Sequence, residues 1–398
     1  MKNLSKISII HLLFFSILVF VNIYSFPIVV RIGIDIVLTI LAIVFGTERK
    51  AAIPNIRMIW TISIFLIIYT TMVALSSTKI EVEVIFKPIR FLFMLVIFNI
   101  ITKKLHNYTL KEICISLALV FSIHIFCTYI EFLIPSTRDI IYSFLEDFHG
   151  TGDDVPLRTK GLCSSYDEAG LVICVAQSFL YCLFRKDRNK MVFACLIVTI
   201  IASLLVSRTT MLVSGFFVSL MLLSFLKHEK KFFFFFILPI VAIVAYYVYG
   251  LIEFYLAAEN FEESYYSGSA EILTTDRMLF LPQTYFGIIF GDGKNPVTSD
   301  IGYIKIIHMI GFFGLLLVLY LYYRTYKLFK TCKQYNFEVY LFMLLFLALL
   351  IVFNYKLLML YARGINDLYF LLIFMIINNK HILYENNTSC GDKCLKIC

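Results

Sequence analysis

The chain has 398 residues, of which 60% are hydrophobic and only 16% charged. A soluble domain carries roughly 45–50% apolar and about 25% charged residues, so a water-soluble globular fold is excluded. The net charge of +8 does not indicate a nucleic-acid partner either, because the basic residues sit in short clusters between apolar blocks, the pattern that sets membrane topology.

The apolar blocks have about the 20-residue length needed to cross a bilayer. Twelve are expected, in chain order: Ile7–Ser25, Pro27–Phe45, Met58–Leu75, Pro88–Thr102, Ile113–Ile134, Ala169–Phe184, Met191–Val206, Thr209–Leu226, Phe232–Ile252, Ile301–Tyr323, Phe337–Phe353 and Ile365–Ile377. The pattern predicts an all-α integral membrane protein, a single polytopic domain over residues 1–398 with about 12 transmembrane helices. Met1–Lys6 is a basic lead, and no small-residue cleavage site follows the first block. That block therefore reads as a membrane span rather than a cleaved signal.

Threading the spans alternately from a cytoplasmic N-terminus puts 22 of the 35 Lys and Arg residues on the inner side. The positive-inside rule then places both termini in the cytoplasm, including the tail 379–398. Two long connections fall outside, Pro135 to Glu168 (135–168) and Glu253 to Asp300 (253–300). Long ordered loops commonly carry function. Most of the ten cysteines lie in apolar blocks as small hydrophobes. Cys390, Cys394 and Cys398 recur in the tail without a recognised zinc spacing, and no cofactor or metal is expected.

The first loop ends in a run from Arg158 to Gly170 that holds Arg158, Lys160, Gly161, Asp167 and Glu168 at the mouth of a helix. A helix N-terminus favours anions, and the two cations suit a phosphate. Ser207-Arg208-Thr209 forms a tight external turn, and its arginine is either an interface residue or a cation aimed into a cavity. The second loop carries Asp276 and Arg277, then Gly291-Asp292-Gly293, and enters the tenth span through Asp300. Its carboxylates and tyrosines suit a sugar, and the residues nearest the membrane are the strongest candidates. Arg31 and Asp35 have the i,i+4 spacing of a helix-face pair, and Arg363 and Asp367 repeat it at the external end of the last span. Paired intramembrane charges can simply neutralise each other.

Taken in order, these segments resemble the Wzy-type polymerases of O-antigen and polysaccharide repeat units, and more distantly the O-antigen ligases. Arg158-x-x-Gly161 with Ser164, Glu168 and Gly170 is similar to the family's first-loop motif, and Ser207-Arg208 to its mid-chain turn. Asp276-Arg277 ahead of Gly291 and Gly293, then Asp300-x-Gly302-Tyr303 and Gly311-Phe312-Phe313-Gly314, are similar to its second-loop and loop-to-helix segments. There are departures. The arginine-to-glycine spacing of ten found in some members is met by Arg277 and Gly287 but not by Arg158, which precedes Gly170 by twelve. Position 300, where ligases carry histidine, is Asp300.

The resemblance implies a metal-independent glycosyltransferase at the outer face of the bacterial inner membrane. Its substrate would be an undecaprenyl-pyrophosphate-linked oligosaccharide, and a chain-length regulator a further partner. Arginine binds phosphate oxygens in a bidentate fork and stays charged, so Arg158, Arg208, Arg277 and Arg363 are the pyrophosphate candidates. Asp300, Asp276, Asp167 and Glu168 are the candidate general bases, with Gly161, Gly291 and Gly293 as loop glycines. A flippase or transporter of lipid-linked oligosaccharide is the competing class, and it should place polar groups deep among its helices.

Overall fold

The computed structural model describes residues 16–20, 24, 33, 35–37, 39–40, 56–77, 81–104, 110–143, 158–163, 165–228, 280–296, 301–334, 336–356, 358–360 and 364–378. Every regular element among them is helical. In chain order they are α1 (Ile56–Ser76), α2 (Val82–Lys104), α3 (Leu110–Leu133), the short α4 (Arg138–Ser143), α5 (Tyr166–Asp187), α6 (Lys190–Leu204), α7 (Arg208–His228), the short α8 (Tyr285–Phe290), α9 (Gly302–Lys330), α10 (Phe337–Phe353) and α11 (Ile365–Asn378). Among the described residues, α1, α2, α3, α5 and α9 are long and apolar enough to cross a membrane, and α6, α7, α10 and α11 are shorter apolar helices. In lipid every backbone N–H and C=O must find a partner within the chain, and the α-helix supplies that partner locally.

Burial separates the helices into two kinds. Ile64, Phe65, Ile68 and Met72 leave one face of α1 exposed, as lipid contact requires. By contrast α5 is buried along almost its whole apolar length, and α11 is buried from Ile365 to Ile377. The interior helix α5 is well delimited. Ser165 caps it by accepting a hydrogen bond from the Glu168 N–H at 3.2 Å, Asp167 and Glu168 occupy its first turn, and Arg185 and Lys186 its last. This charge order opposes the helix dipole at both ends.

The helices pack in definite directions. Phe179 meets Phe342 and Arg185 meets Glu338, so α5 and α10 run antiparallel. Gly170 faces Thr210, and Gln177 exchanges hydrogen bonds with Ser214 at 2.8 and 2.9 Å, so α5 and α7 run parallel. Arg90 meets Asp367, and Asn378 donates to Thr102 at 2.8 Å, so α2 and α11 are parallel too. Tyr303 donates to the Ile351 carbonyl at 2.6 Å while Phe329 packs on Tyr340, which sets α9 against α10. These are the relative directions that an alternately threaded chain needs for these helices.

Two elements depart from expectation. The helix α2 starts at Val82 instead of Pro88 and keeps the proline inside it. Arg90 therefore lies eight residues from the start of α2, about 12 Å along it at ~1.5 Å per residue. The tenth span is not one straight helix, because Gly311 has φ 68° and ψ −178° and breaks α9. A Cβ at Gly311 would lie 2.3 Å from the Ile289 carbonyl oxygen and 2.5 Å from the Gly291 nitrogen. Only glycine tolerates both this backbone and this contact. Gly311→Ala should therefore cost at least about 3 kcal/mol, seen as a lower unfolding midpoint and a lower monodisperse yield in detergent. Gly215→Ala in α7, where a Cβ has nothing within 4 Å, should stay within about 1 kcal/mol of the parent.

Candidate functional site at the loop end of the bundle

The first loop returns to the membrane over the end of α3, and a buried carboxylate there organises it. Glu131 is fully buried. It accepts hydrogen bonds from the Gly161 N–H at 2.8 Å, the Lys160 N–H at 3.0 Å and the Tyr142 hydroxyl, and its charge is met by Arg138 Nε at 3.4 Å. Arg138 also donates to the Arg158 carbonyl at 2.9 Å. Burial, followed by the bond to Glu131, pushes the Tyr142 hydroxyl far up, so it remains a donor. A buried carboxylate is tolerable only when its lone pairs are met in this way.

The same segment is fitted to His124, about two turns back along α3. Leu162 N–H donates to His124 Nδ1 at 3.3 Å, so the ring proton belongs on Nε2. Tyr24 stacks on that imidazole with centroids 5.4 Å apart. Gly161 has φ +55°, and a Cβ there would come within 2.8 Å of both His124 Cε1 and Thr128 Oγ1. Cys163, buried, follows at once, and burial raises its thiol well above the ordinary range.

The Ser207-Arg208 turn is part of this arrangement. The Thr159 N–H and hydroxyl both donate to the Leu205 carbonyl, at 2.8 and 3.1 Å. Ser207 Oγ accepts from the Thr210 N–H at 3.3 Å, capping α7, and lies 2.7 Å from Thr210 Oγ1. A Cβ on Gly170 would lie 1.8 Å from Thr210 Oγ1, so α5 and α7 approach closely near their starts and leave no room for a side chain at position 170. Two motifs separated by about forty residues in sequence thus form one surface.

The second loop supplies a separate hairpin. Its helix α8 is capped by Thr284, which accepts from the Gly287 N–H at 3.0 Å. After Gly291, the Asp292 and Gly293 N–H groups both donate to the His308 carbonyl, at 2.9 and 3.1 Å. Tyr69 of α1 donates to the carbonyls of Phe290 and Ile310, at 2.8 and 3.1 Å, and so serves backbone oxygens on both sides of the Gly291–Gly311 contact. The His308 ring is held at both nitrogens, Nδ1 3.2 Å from Asp292 Oδ2 and Nε2 3.0 Å from the Phe280 carbonyl.

Of the sequence-predicted residues, Arg158, Gly161, Asp167 and Glu168 come together in the first cluster, which Thr159 ties to the Leu205 carbonyl just ahead of the helix that begins at Arg208. Gly291 and Gly293 belong to the hairpin. Asp276, Arg277, Asp300 and Arg363 lie outside the described residues. The α5 N-terminus differs from expectation, since Ser165, Asp167 and Glu168 already occupy its first turn. Lys160 also has an aromatic environment, its Nζ lying 5.2 Å from the Tyr142 ring and 5.0 Å from the Tyr166 ring. Asp35 and Asp367, expected to pair along their own helices, both face Arg90, at 3.7 and 2.5 Å. Arg31, like Arg363, lies outside the described residues. Sequence reading missed Glu131, His124, His308 and Arg90. Each was legible as an ionisable residue inside an apolar block, which is itself a pointer to function or pairing.

No family model matches the chain, and neither a curated protein nor a solved structure does.

The Glu131 network can be tested without an activity assay. Glu131→Ala leaves Arg138 and two N–H groups without their acceptor, a loss of roughly 3–5 kcal/mol for a broken buried pair. The segment around Gly161 should then detach from α3. Maleimide labelling of Cys163 in the purified protein, followed on its own peptide by mass spectrometry, should accelerate at least tenfold, with Glu131→Gln intermediate. Unchanged protection of Cys163 in Glu131→Ala would sink this account of the loop.

Proposed function

We propose that the protein joins lipid-linked oligosaccharide repeat units into an O-antigen-like surface polysaccharide at the outer face of a bacterial inner membrane. The observation that carries this reading is the union of the first-loop motif with the Ser207-Arg208 turn, fixed by Thr159 on Leu205 and by Gly170 against Thr210. It concentrates Arg158, Lys160 and the Arg208 backbone at the starts of two parallel helices, next to the carboxylates Asp167 and Glu168.

The chemistry asked of such a site is modest. An acceptor sugar hydroxyl attacks the anomeric carbon of the donor, its proton passes to a carboxylate, and the bond to the carrier pyrophosphate breaks. Undecaprenyl pyrophosphate leaves, and arginine stabilises its growing charge in place of a divalent ion. Arg158, Arg208, Arg277 and Arg363 are the candidates for that role, and Asp300, Asp276, Asp167 and Glu168 for the base. On this reading the loops 135–168 and 253–300 are periplasmic, both termini are cytoplasmic, and a chain-length regulator is a natural partner. The ligase alternative uses the same chemistry on another acceptor, and Asp300 in place of histidine weighs against it.

A transporter of lipid-linked oligosaccharide is supported by a different observation. Arg90, Asp35 and Asp367 form a charged cluster within the helical bundle, and Tyr322 and Asn366 add a buried polar pair near it on α9 and α11. Ionisable groups buried among membrane helices often line a pathway.

Loss of the gene separates the readings. A polymerase null accumulates single repeat units on the carrier, or a core capped with one unit, and no ladder of lengths. Long polymer left on the carrier would favour the ligase, and units trapped on the cytoplasmic leaflet the transporter. Among point variants, Arg158→Ala and Arg277→Ala should each slow transfer roughly ten- to a hundredfold, the loss of one charge-assisted hydrogen bond in the transition state. The lysine variants keep the charge without the fork and should fall between. Full-length ladders from both alanine variants at matched, low expression would falsify the arginine site. Reporter fusions at Gly152 and Gly268 should read as periplasmic, and a cytoplasmic signal at either breaks the topology.

A further inference from the structure

At the opposite end of the bundle, the start of α3, the end of α5, the start of α10 and the end of α11 surround a cavity of about 410 Å³. This is within the roughly 300–1,000 Å³ of ordinary ligand sites. Its wall is apolar, with Leu117, Phe179, Phe342 and Met343 all buried. Its rim carries Lys111 and Lys186, both exposed. Two carboxylates share that rim, Glu338 and Asp187. Glu338 lies 3.9 Å from Arg185, whose guanidinium also rests 4.5 Å from the Phe337 ring. Lys186 also acts on Glu338, so three cations, Arg185, Lys186 and Lys111, stand against two carboxylates and the rim keeps a surplus of one positive charge.

We propose that this cavity holds one acyl chain of an anionic glycerophospholipid from the inner leaflet, with the phosphate between Lys111 and Lys186. Three physical points carry the inference. An apolar cavity of this size does not hold water well, since water needs polar partners. Left empty, it forfeits the dispersion contacts of its lining. A hydrocarbon chain restores those contacts, and in a bilayer such chains are the surrounding solvent. Transfer from lipid to an equally apolar wall gives little selectivity, so the rim must choose the lipid. Its surplus is positive, and it lies at the Lys- and Arg-rich end of the helices, which the positive-inside rule assigns to the cytoplasmic leaflet. A basic pocket between membrane helices at that leaflet suits an anionic headgroup.

The site does not depend on glycosyl transfer and can be tested apart from it. The full chain, delipidated in a non-ionic detergent, is titrated with phosphatidylglycerol and, separately, with phosphatidylcholine of the same chain length. Binding is read by native mass spectrometry and by the shift in thermal unfolding. Phosphatidylglycerol should bind more tightly and raise the unfolding midpoint further, and the difference should shrink at high salt. The exposed double variant Lys111→Gln with Lys186→Gln should weaken phosphatidylglycerol binding about thirtyfold, roughly fivefold for each surface lysine. Phosphatidylcholine should respond equally in parent and variant. Leu183→Trp, which places a large ring at a half-buried lining position, should reduce retention of both lipids with the lysines intact. Equal affinity for the two lipids in the parent protein, or unchanged phosphatidylglycerol binding in the double glutamine variant, overturns the proposal. So does preference for a polyprenyl phosphate over phosphatidylglycerol, which would assign the cavity to the carrier lipid. The glutamines are at exposed positions, so the charge test stands even if the tryptophan variant does not fold.

Discussion

A carboxylate buried at the end of a membrane helix is costly until every lone pair is engaged. Glu131 meets that demand with backbone N–H groups from residues 160 and 161, a tyrosine hydroxyl and an arginine. The requirement works in both directions. The loop satisfies the carboxylate, and the carboxylate fixes where the loop descends, how Arg158 is presented through Arg138, and where α5 can start. The packing of α5 on α7, α6 and α10 then follows from a helix whose first turn is already placed. The Glu131 network thus ties the first loop to the end of α3 by polar contacts rather than by apolar burial alone.

Apolar burial could not do this work by itself, because between membrane helices the lipid tails compete on equal terms with side chains. Close backbone approach and interhelical hydrogen bonds must discriminate instead. Both are found where the helices meet. Gly170 admits Thr210, Gln177 and Ser214 exchange two hydrogen bonds, and Arg90 bridges two aspartates from different parts of the chain. The aromatic layer of Tyr322, Tyr369, Phe346 and Phe370 fills the space between α9, α10 and α11.

The positions of the helices were legible in the sequence because apolar block length is a one-dimensional property, and a bilayer reads it much as an observer does. The expected spans from Met58 onward that fall on described residues find helices, apart from the start of α2 and the break in α9, while Ile7–Ser25, Pro27–Phe45 and Phe232–Ile252 lie wholly or largely outside the described residues. Pairing across the bundle was less accessible. Arg31–Asp35 and Arg363–Asp367 look like local pairs because i,i+4 spacing is visible in a string of letters. Nothing in that string places Arg90 beside both aspartates, since the contact depends on the parallel packing of α2 and α11. Glu131 was passed over for the same reason: its partners are up to thirty residues away, and two of the four are backbone N–H groups. The loop glycines named from the sequence, Gly161, Gly291 and Gly293, all adopt positive φ, a local backbone property that glycine encodes directly.

The break at Gly311 has a consequence for motion. Both N–H groups of Asp292 and Gly293 converge on the His308 carbonyl, and the Tyr69 hydroxyl serves Phe290 and Ile310 together. Peeling the hairpin away alone would strand the His308 carbonyl at a depth where no solvent replaces its partners, an opening that costs several kcal/mol. Release of residues 302–310 together with the hairpin keeps both bonds to the His308 carbonyl and gives up the Tyr69 bonds along with the other contacts to α1 and the rest of the bundle. The cooperative unit at this face is thus a loop joined to half a helix, and its boundary in a local-unfolding sense runs through Gly311 rather than along the membrane surface.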